Sequence, residues 1–151
     1  MSQFLLDTNI CVHLAKDEFG LVAKLRQVGY ANCFLSEITI AEMLYGVENS
    51  APTRQAANRQ SLYHLQQAFA GRLLSIGSCL EIYAQQKAYL KRLGRLQGEF
   101  DMLIGSTALA HGLTLVTRNT RHFAELPGIQ LENWIEDPRA AELPSEGVTV
   151  R

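Results

Sequence analysis

The segment GEFDMLIGSTALAHGLTLVTRNTRHF, residues 98–123, decides the architecture. Glu99 to His111 runs without a helix breaker, and Gly112 follows where a helix commonly stops in a left-handed conformation. Leu113–Thr117 is then a short apolar and β-branched run, the pattern of a buried strand. A helix that enters a strand through so tight a turn must lie antiparallel to it. Its N-terminus, carrying Asp101, therefore returns to the carboxyl end of that strand, where Asn119 also falls. Asp101, Ile104, Gly105, Ala108 and Gly112 share one helical face, small and apolar enough for close packing.

Outward from this segment, strand and helix patterns alternate. Gln3–Leu6 reads as a buried strand ending on Asp7, followed by helices from about Ile10 to Lys16 and from Leu21 to Val28, the second stopped by Gly29. Cys33–Ser36 is the next strand. A helix follows from Thr39 to Val47, with Thr39 and Glu42 in capping-box register. Arg54 to Phe69 is a long helix, Leu73–Ile76 a third strand, and Ser78 with Glu81 signals a helix reaching about Leu93. Gln130–Glu132 is a weak fifth strand. Alternation of this kind predicts an α/β fold, a three-layer α/β/α sandwich around a central parallel sheet of four to five strands. Residues 1–135 form one domain, and 136–151 a polar tail with Pro138, Pro144 and Gly147.

The bulk numbers exclude several classes. A length of 151 residues with 47% hydrophobic and 19% charged side chains is that of one globular domain. A net charge of -1 argues against a broadly basic nucleic-acid wrapper, though not against a local basic patch. Cys11, Cys33 and Cys79 form no CxxC pair and sit in apolar surroundings, as reduced core thiols do. No secretory leader pattern or membrane-length apolar run is present, so a cytoplasmic protein is expected.

In an open parallel sheet, ligands gather beyond the carboxyl ends of the strands. Asp7 ends the first strand, Glu42 lies in the first turn of the helix after the second, Asp101 starts the helix before the fourth, and Asn119 follows the fourth. Each alone has a structural explanation as a helix cap or a dipole-favoured carboxylate. Caps, however, have no reason to collect on one sheet edge. Three crowded carboxylates repel one another unless a cation neutralises them. An oxygen-only set without histidine or cysteine suits Mg²⁺, with Mn²⁺ as the alternative, rather than Zn²⁺.

At this point the residues resemble a known family. LLDTNI, ITIAEMLYG, GEFDMLIGSTALAHGLTLVTRNTRHF and GIQLENW, in this order and spacing up to Trp134, are similar to the PIN-domain ribonucleases, and among them to the VapC toxins of bacterial toxin–antitoxin pairs. The resemblance implies a PIN-like fold and a metal-dependent endoribonuclease that cuts RNA, with structured tRNA as the expected target. It implies a homodimer, also assembling with a cognate VapB-like antitoxin laid along a hydrophobic groove. The family's metal-binding acids fall on Asp7, Glu42 and Asp101. Its fourth position, often aspartate, is Asn119 here, which implies less negative charge and weaker binding of a second metal. Thr8 and Thr117 match polar positions flanking the metal, and Arg118 and Arg121 follow the fourth strand where they would meet substrate.

Other groups carry less. His13, His64, His111 and His122 lack HxxxH spacing, although His122 lies near Arg118 and Arg121. Lys87, Lys91 and Arg95 share a helical face that is either solvated or a clamp for the RNA backbone. Glu99 is read as a helix-start residue outside the motif. A phosphorelay receiver lacks its acidic pair, phospho-acceptor and lysine here, and a haloacid-dehalogenase-type phosphatase lacks its DxD because Asn9 stands there. A PIN-like interaction module without catalysis remains as the third reading, favoured only by Asn119.

Overall fold

The computed structural model describes residues 2–135; the tail from 136 onward lies outside the described residues. The elements are β1 (Phe4–Leu6), α1 (Thr8–Ala15), α2 (Leu21–Val28), β2 (Cys33–Ser36), α3 (Glu37–Glu48), α4 (Pro52–Ala68), β3 (Leu73–Leu74), α5 (Leu80–Arg92), α6 (Glu99–His111), β4 (Thr114–Val116), α7 (Thr120–Phe123) and β5 (Leu131–Glu132). All paired strands are parallel, in the order β3-β2-β1-β4-β5. The chain winds from β1 to one side and then crosses to the other. The switch point therefore opens between the carboxyl ends of β1 and β4, the place where such sheets bind ligands.

The central strand β1 is buried along its whole length and sends apolar side chains to both faces. Phe4 and Leu6 point into one core with Cys33, Leu35 and Val116, against Ile10, Leu14, Leu21, Leu25, Leu62 and Phe69 of the α1–α4 layer. Leu5 and Leu115 point the opposite way, into Leu90, Met102, Ile104, Ala108 and Phe123 of the α5–α7 layer. This alternation, buried on both sides, is what a central parallel sheet requires. Cys11, Cys33 and Cys79 are buried free thiols, as expected.

α6 spans the range read from sequence, and Gly112 ends it at φ 63°. Its small face meets the chain after α7. A Cβ added at Gly105 would stand 2.4 Å from Leu126 Cδ1 and 3.4 Å from Phe123 Cδ1, so the glycine sets how closely α6 approaches that segment.

Three expectations are corrected. α3 begins at Glu37, capped by Ser36 Oγ accepting from the Ile38 amide at 3.1 Å. Thr39 and Glu42 are thus not a capping box, and Glu42 lies in the second turn: β2 runs into the helix without a linker, and the earlier hydroxyl takes the cap. Ser78 does not cap α5 either, since its hydroxyl pairs with His111 Nε2 at 2.8 Å. Arg95 lies beyond the end of α5, bonded to Glu125 at 2.8 Å, while Lys87 pairs with Glu99 and Tyr83. The supposed basic face is therefore broken up by ion pairs.

Candidate active site

Asp7 is set by its neighbours in the chain. Its amide completes the ladder to the Val116 carbonyl at 2.9 Å, and its carbonyl accepts from the Ile10 and Cys11 amides as α1 begins. The side chain is buried, with 4% exposure, yet both oxygens are held. Oδ1 accepts from the Thr8 amide at 2.8 Å, and Oδ2 accepts from the Thr117 hydroxyl at 2.8 Å. Asp7 is thus the N-cap of α1, and that structural role leaves it at the sheet edge where the sequence placed the candidate site.

Thr117 follows β4 and is fully buried. Having given its only proton to Asp7, Oγ1 accepts from the Asn119 amide at 3.0 Å and from Asn9 Nδ2 at 3.4 Å. Asn9 Oδ1 in turn accepts from the Arg118 amide at 3.2 Å. The two strand ends at the switch point are therefore stitched together by side chains around one hydroxyl.

Glu42 arrives from α3. Its Oε1 accepts from the Thr8 hydroxyl at 2.7 Å, and the Thr39 hydroxyl lies 3.0 Å from Thr8 Oγ1. Thr8 has one proton to give, so Thr39 must donate to Thr8 and Thr8 to Glu42. Asp101 stands in the first turn of α6, half-buried, with its Oδ2 3.6 Å from His122 Nδ1 on α7. Asn119 precedes α7 with its side chain exposed and uninvolved in capping. Arg121 is exposed on α7, and Arg118 is half-buried, its guanidinium 5.4 Å over the Phe19 ring.

Burial raises the Asp7 carboxyl from 3.8 to about 6, against the lowering effect of the bonds from Thr117 and Thr8. Asp101 and then Glu42 add smaller upward contributions to that same value, so both acids lie within electrostatic reach of Asp7. A cation at this edge would reverse the balance and favour the ionised form. Among the described residues no group of three or more His, Cys, Asp or Glu side chains is placed to hold a metal ion by itself. The side chains that approach one another here, Asp7, Asp101 and Glu42, offer only carboxylate oxygens, the donor type of Mg²⁺, which takes one or two carboxylates and completes its octahedron with water and phosphate oxygens. The donor set is therefore compatible with a hard divalent cation.

Reading the sequence missed Thr39, Asn9 and the approach of His122 to Asp101. Thr39 reads from sequence as a helix cap and Asn9 as the residue that breaks a DxD, and the fold alone reveals their bonds across to Thr8 and Thr117. His122 had a signal in its position after β4, but its partner belongs to another element.

Comparison with known proteins bears on this geometry. The family model described as "PIN domain" matches residues 4–129. The chain is 33% identical over 138 residues to the tRNA(fMet)-specific endonuclease VapC of Shigella flexneri, covering 89% of this chain and 99% of that protein. The DNA-bound VapBC structure from Salmonella typhimurium superposes with a TM-score of 0.79 at 30% identity, covering 89% of this chain and 99% of that one. VapBC2 from Rickettsia felis, bound to a promoter DNA fragment, gives 0.75 at 31%, covering 87% and 98%. Matched across its sheet, both helical layers and the sequence segments that carry its acids, the chain belongs to the PIN-domain family, in its VapC ribonuclease group.

Proposed function

We propose that this protein is a Mg²⁺-dependent endoribonuclease toxin of the cytoplasm, cutting RNA, with tRNA as substrate, and held in check by a cognate antitoxin. The observation that carries the reading is Asp7, a carboxylate held in a buried position with two further acids within electrostatic reach, an arrangement that a cation there would favour in its ionised form. Asp7 and Asp101 would hold the metal with Glu42 beside them, and Asn119 stands at the fourth position. A divalent cation supplies Lewis-acid activation of a water molecule and neutralises the scissile phosphate.

The chain's own residues do the positioning. Thr117 keeps Asp7 ionised and fixed, and Thr8 aims Glu42 toward the attacking water, which Glu42 and Asp101 orient for in-line displacement. Arg118 and Arg121 meet the phosphates flanking the cut. Hydrolysis by water leaves 5′-phosphate and 3′-hydroxyl ends.

Partner binding has support of its own. A cleft of about 290 Å³ between α1, α3 and α4 is lined by Val12, Met43, Val47 and Leu62, with Thr8 and Glu42 also lining it. An amphipathic antitoxin segment ending in a cation matches an apolar groove that leads to acids. Exposed Tyr89, Leu93, Leu96 and Phe100 between α5 and α6 support pairing with a second copy. No described helix is long and apolar enough to cross a membrane.

Incubating total RNA with the purified chain in Mg²⁺ or EDTA, then mapping the cut ends, tests the proposal. Discrete cuts with 5′-phosphates in Mg²⁺, abolished by EDTA and by a co-purified antitoxin, support it; cuts that persist in EDTA count against it.

A further inference from the structure

The turn between α1 and α2 holds a feature that the acidic site does not use. Asp17 and Phe19 both have positive φ, at 52° and 58°. Asp17 is explained by helix capping: its amide bonds the Leu14 carbonyl and the Glu18 amide bonds the His13 carbonyl, closing α1 in a Schellman turn. Phe19 has no such explanation, and a bulky aromatic residue in the left-handed region costs about 1–2 kcal/mol. The ring it presents is 44% exposed. His13 meets its edge at 4.8 Å, and the Arg118 guanidinium lies 5.4 Å over it.

On the α2 side of the same turn opens a cleft of about 420 Å³, lined by Phe19, Gly20, Ala23, Lys24, Gln27 and Trp134. Lys24 Nζ sits 5.6 Å above the Trp134 ring. Trp134 is itself fixed, edge-on to Phe4 at 5.1 Å and with its indole N–H donating to Glu132 Oε2 at 3.3 Å. Two pre-positioned aromatic rings, each with a cation over it, thus stand at one cleft. Arg118 continues the feature to the active edge, because its amide is bonded to Asn9 beside Thr117.

We propose that Phe19, Lys24, Gln27 and Trp134 form a second subsite that takes an unpaired base of a single-stranded RNA segment leading away from the acids. Bases stack on aromatic and guanidinium planes, and cations beside those planes engage the phosphates. Lys24 is the one charged residue lining the cleft, with the Glu132 carboxylate at the Trp134 indole edge; the cation favours an anionic ligand, and the two fixed aromatic rings favour one with flat faces to stack, a nucleic-acid strand over an acidic or purely apolar peptide. Gln27 supplies an amide that can donate to and accept from a base edge. The left-handed backbone at Phe19 is the cost of holding its ring there. The subsite extends the ribonuclease reading and rests on it for the identity of the ligand.

Trp134 is the chain's single tryptophan, so its fluorescence reports on the cleft. The test titrates the full chain, in EDTA to prevent cleavage, with a single-stranded RNA of roughly ten nucleotides and separately with inorganic polyphosphate. RNA is expected to quench Trp134 saturably, and polyphosphate to leave it unchanged. Phe19→Ala and Lys24→Gln should each weaken RNA binding about tenfold, within the range for one base stack, while Phe19→Tyr, which keeps the ring, binds as the wild type does. Lys24→Gln keeps the test decisive if Phe19→Ala does not fold. RNA binding without a change in Trp134 emission, equal quenching by polyphosphate, or wild-type affinity in Lys24→Gln overturns the subsite. Cleavage in Mg²⁺ is scored separately: quenching without cleavage supports the cleft and counts against the ribonuclease reading, whereas cleavage without quenching overturns the cleft alone.

Discussion

The Thr117 hydroxyl donates to Asp7 Oδ2 at 2.8 Å from the end of the neighbouring strand, and this bond joins the two sides of the switch point. It is also the largest influence keeping the Asp7 carboxyl below where burial alone would put it.

Replacing Thr117 by valine should keep the packing and remove the donor. The Asp7 carboxyl then rises further, and more of it is protonated at a given pH. A hydrogen bond to a charged group contributes about 1.5–3 kcal/mol, so the acid limb of the pH–rate profile should move about one to two pH units higher. Thr117→Ser, which retains the hydroxyl, should leave that limb in place. An unmoved limb in Thr117→Val contradicts the role given to this hydroxyl.

Asp7 should cost the metal-free protein stability at neutral pH. Its folded value of about 6 lies above the ordinary 3.8, so the folded state holds the proton more tightly than the unfolded chain. The stabilisation is complete below about pH 3.8 and is lost as pH rises through about 6. Asp7→Asn escapes that loss but gives up the oxygen that accepts from Thr117, so in EDTA at pH 7.5 it should be more stable than the wild type by about 1–2 kcal/mol, less than the full shift. At pH 4 the difference should shrink. Mg²⁺ should raise the wild-type Tm and leave that of Asp7→Asn unchanged; a lower Tm for the variant at both pH values is the contrary result.

Glu42 is held by Thr8, which Thr39 supports in turn. Thr8→Val should release the carboxylate and lower kcat about tenfold, as loss of one orienting contact does, with little change in KM. Thr8→Ser should retain activity. Single-turnover cleavage of tRNA separates these outcomes, and a change confined to KM goes against the orienting role.

Gly105 should tolerate little. A β-branched side chain there must displace Leu126, which is 2% exposed, and crowd Phe123. Gly105→Val is expected to destabilise the fold by about 1–3 kcal/mol. Because α6 carries Asp101, residual activity should fall more than the folded fraction does. Thermal melts paired with activity at low temperature measure both quantities.

Residues 98–123 were legible almost to the residue, because a breaker-free helix, a stopping glycine and an apolar strand follow with no spare chain between them. That compactness fixed the direction of α6 and so the position of Asp101. The start of α3 was not legible, since Ser36 and Thr39 are both competent caps and only the end of β2 decides between them. Chain order was enough to place Asp7, Glu42 and Asp101 near one sheet edge, and in the structure Asp101 and Glu42 lie within electrostatic reach of Asp7. Their partners Asn9, Thr39 and His122 were missed because each reaches across to another element. Arg95 was misplaced for a different reason: helical spacing runs past Gly94, whose φ of 67° turns the chain away.

The central claim is that Asp7, Glu42 and Asp101 act on RNA as one metal-supported group. Single-turnover cleavage of tRNA at saturating Mg²⁺ by the wild type, Asp7→Asn, Glu42→Gln and Asp101→Asn tests it most directly, with thermal melts confirming that each variant is folded. Each substitution should slow cleavage about a thousandfold or more, and the double variant of Asp7 and Asp101 should be hardly slower than either single one, since groups acting as a unit are not additive. Full activity in folded Asp7→Asn or Asp101→Asn would contradict the account.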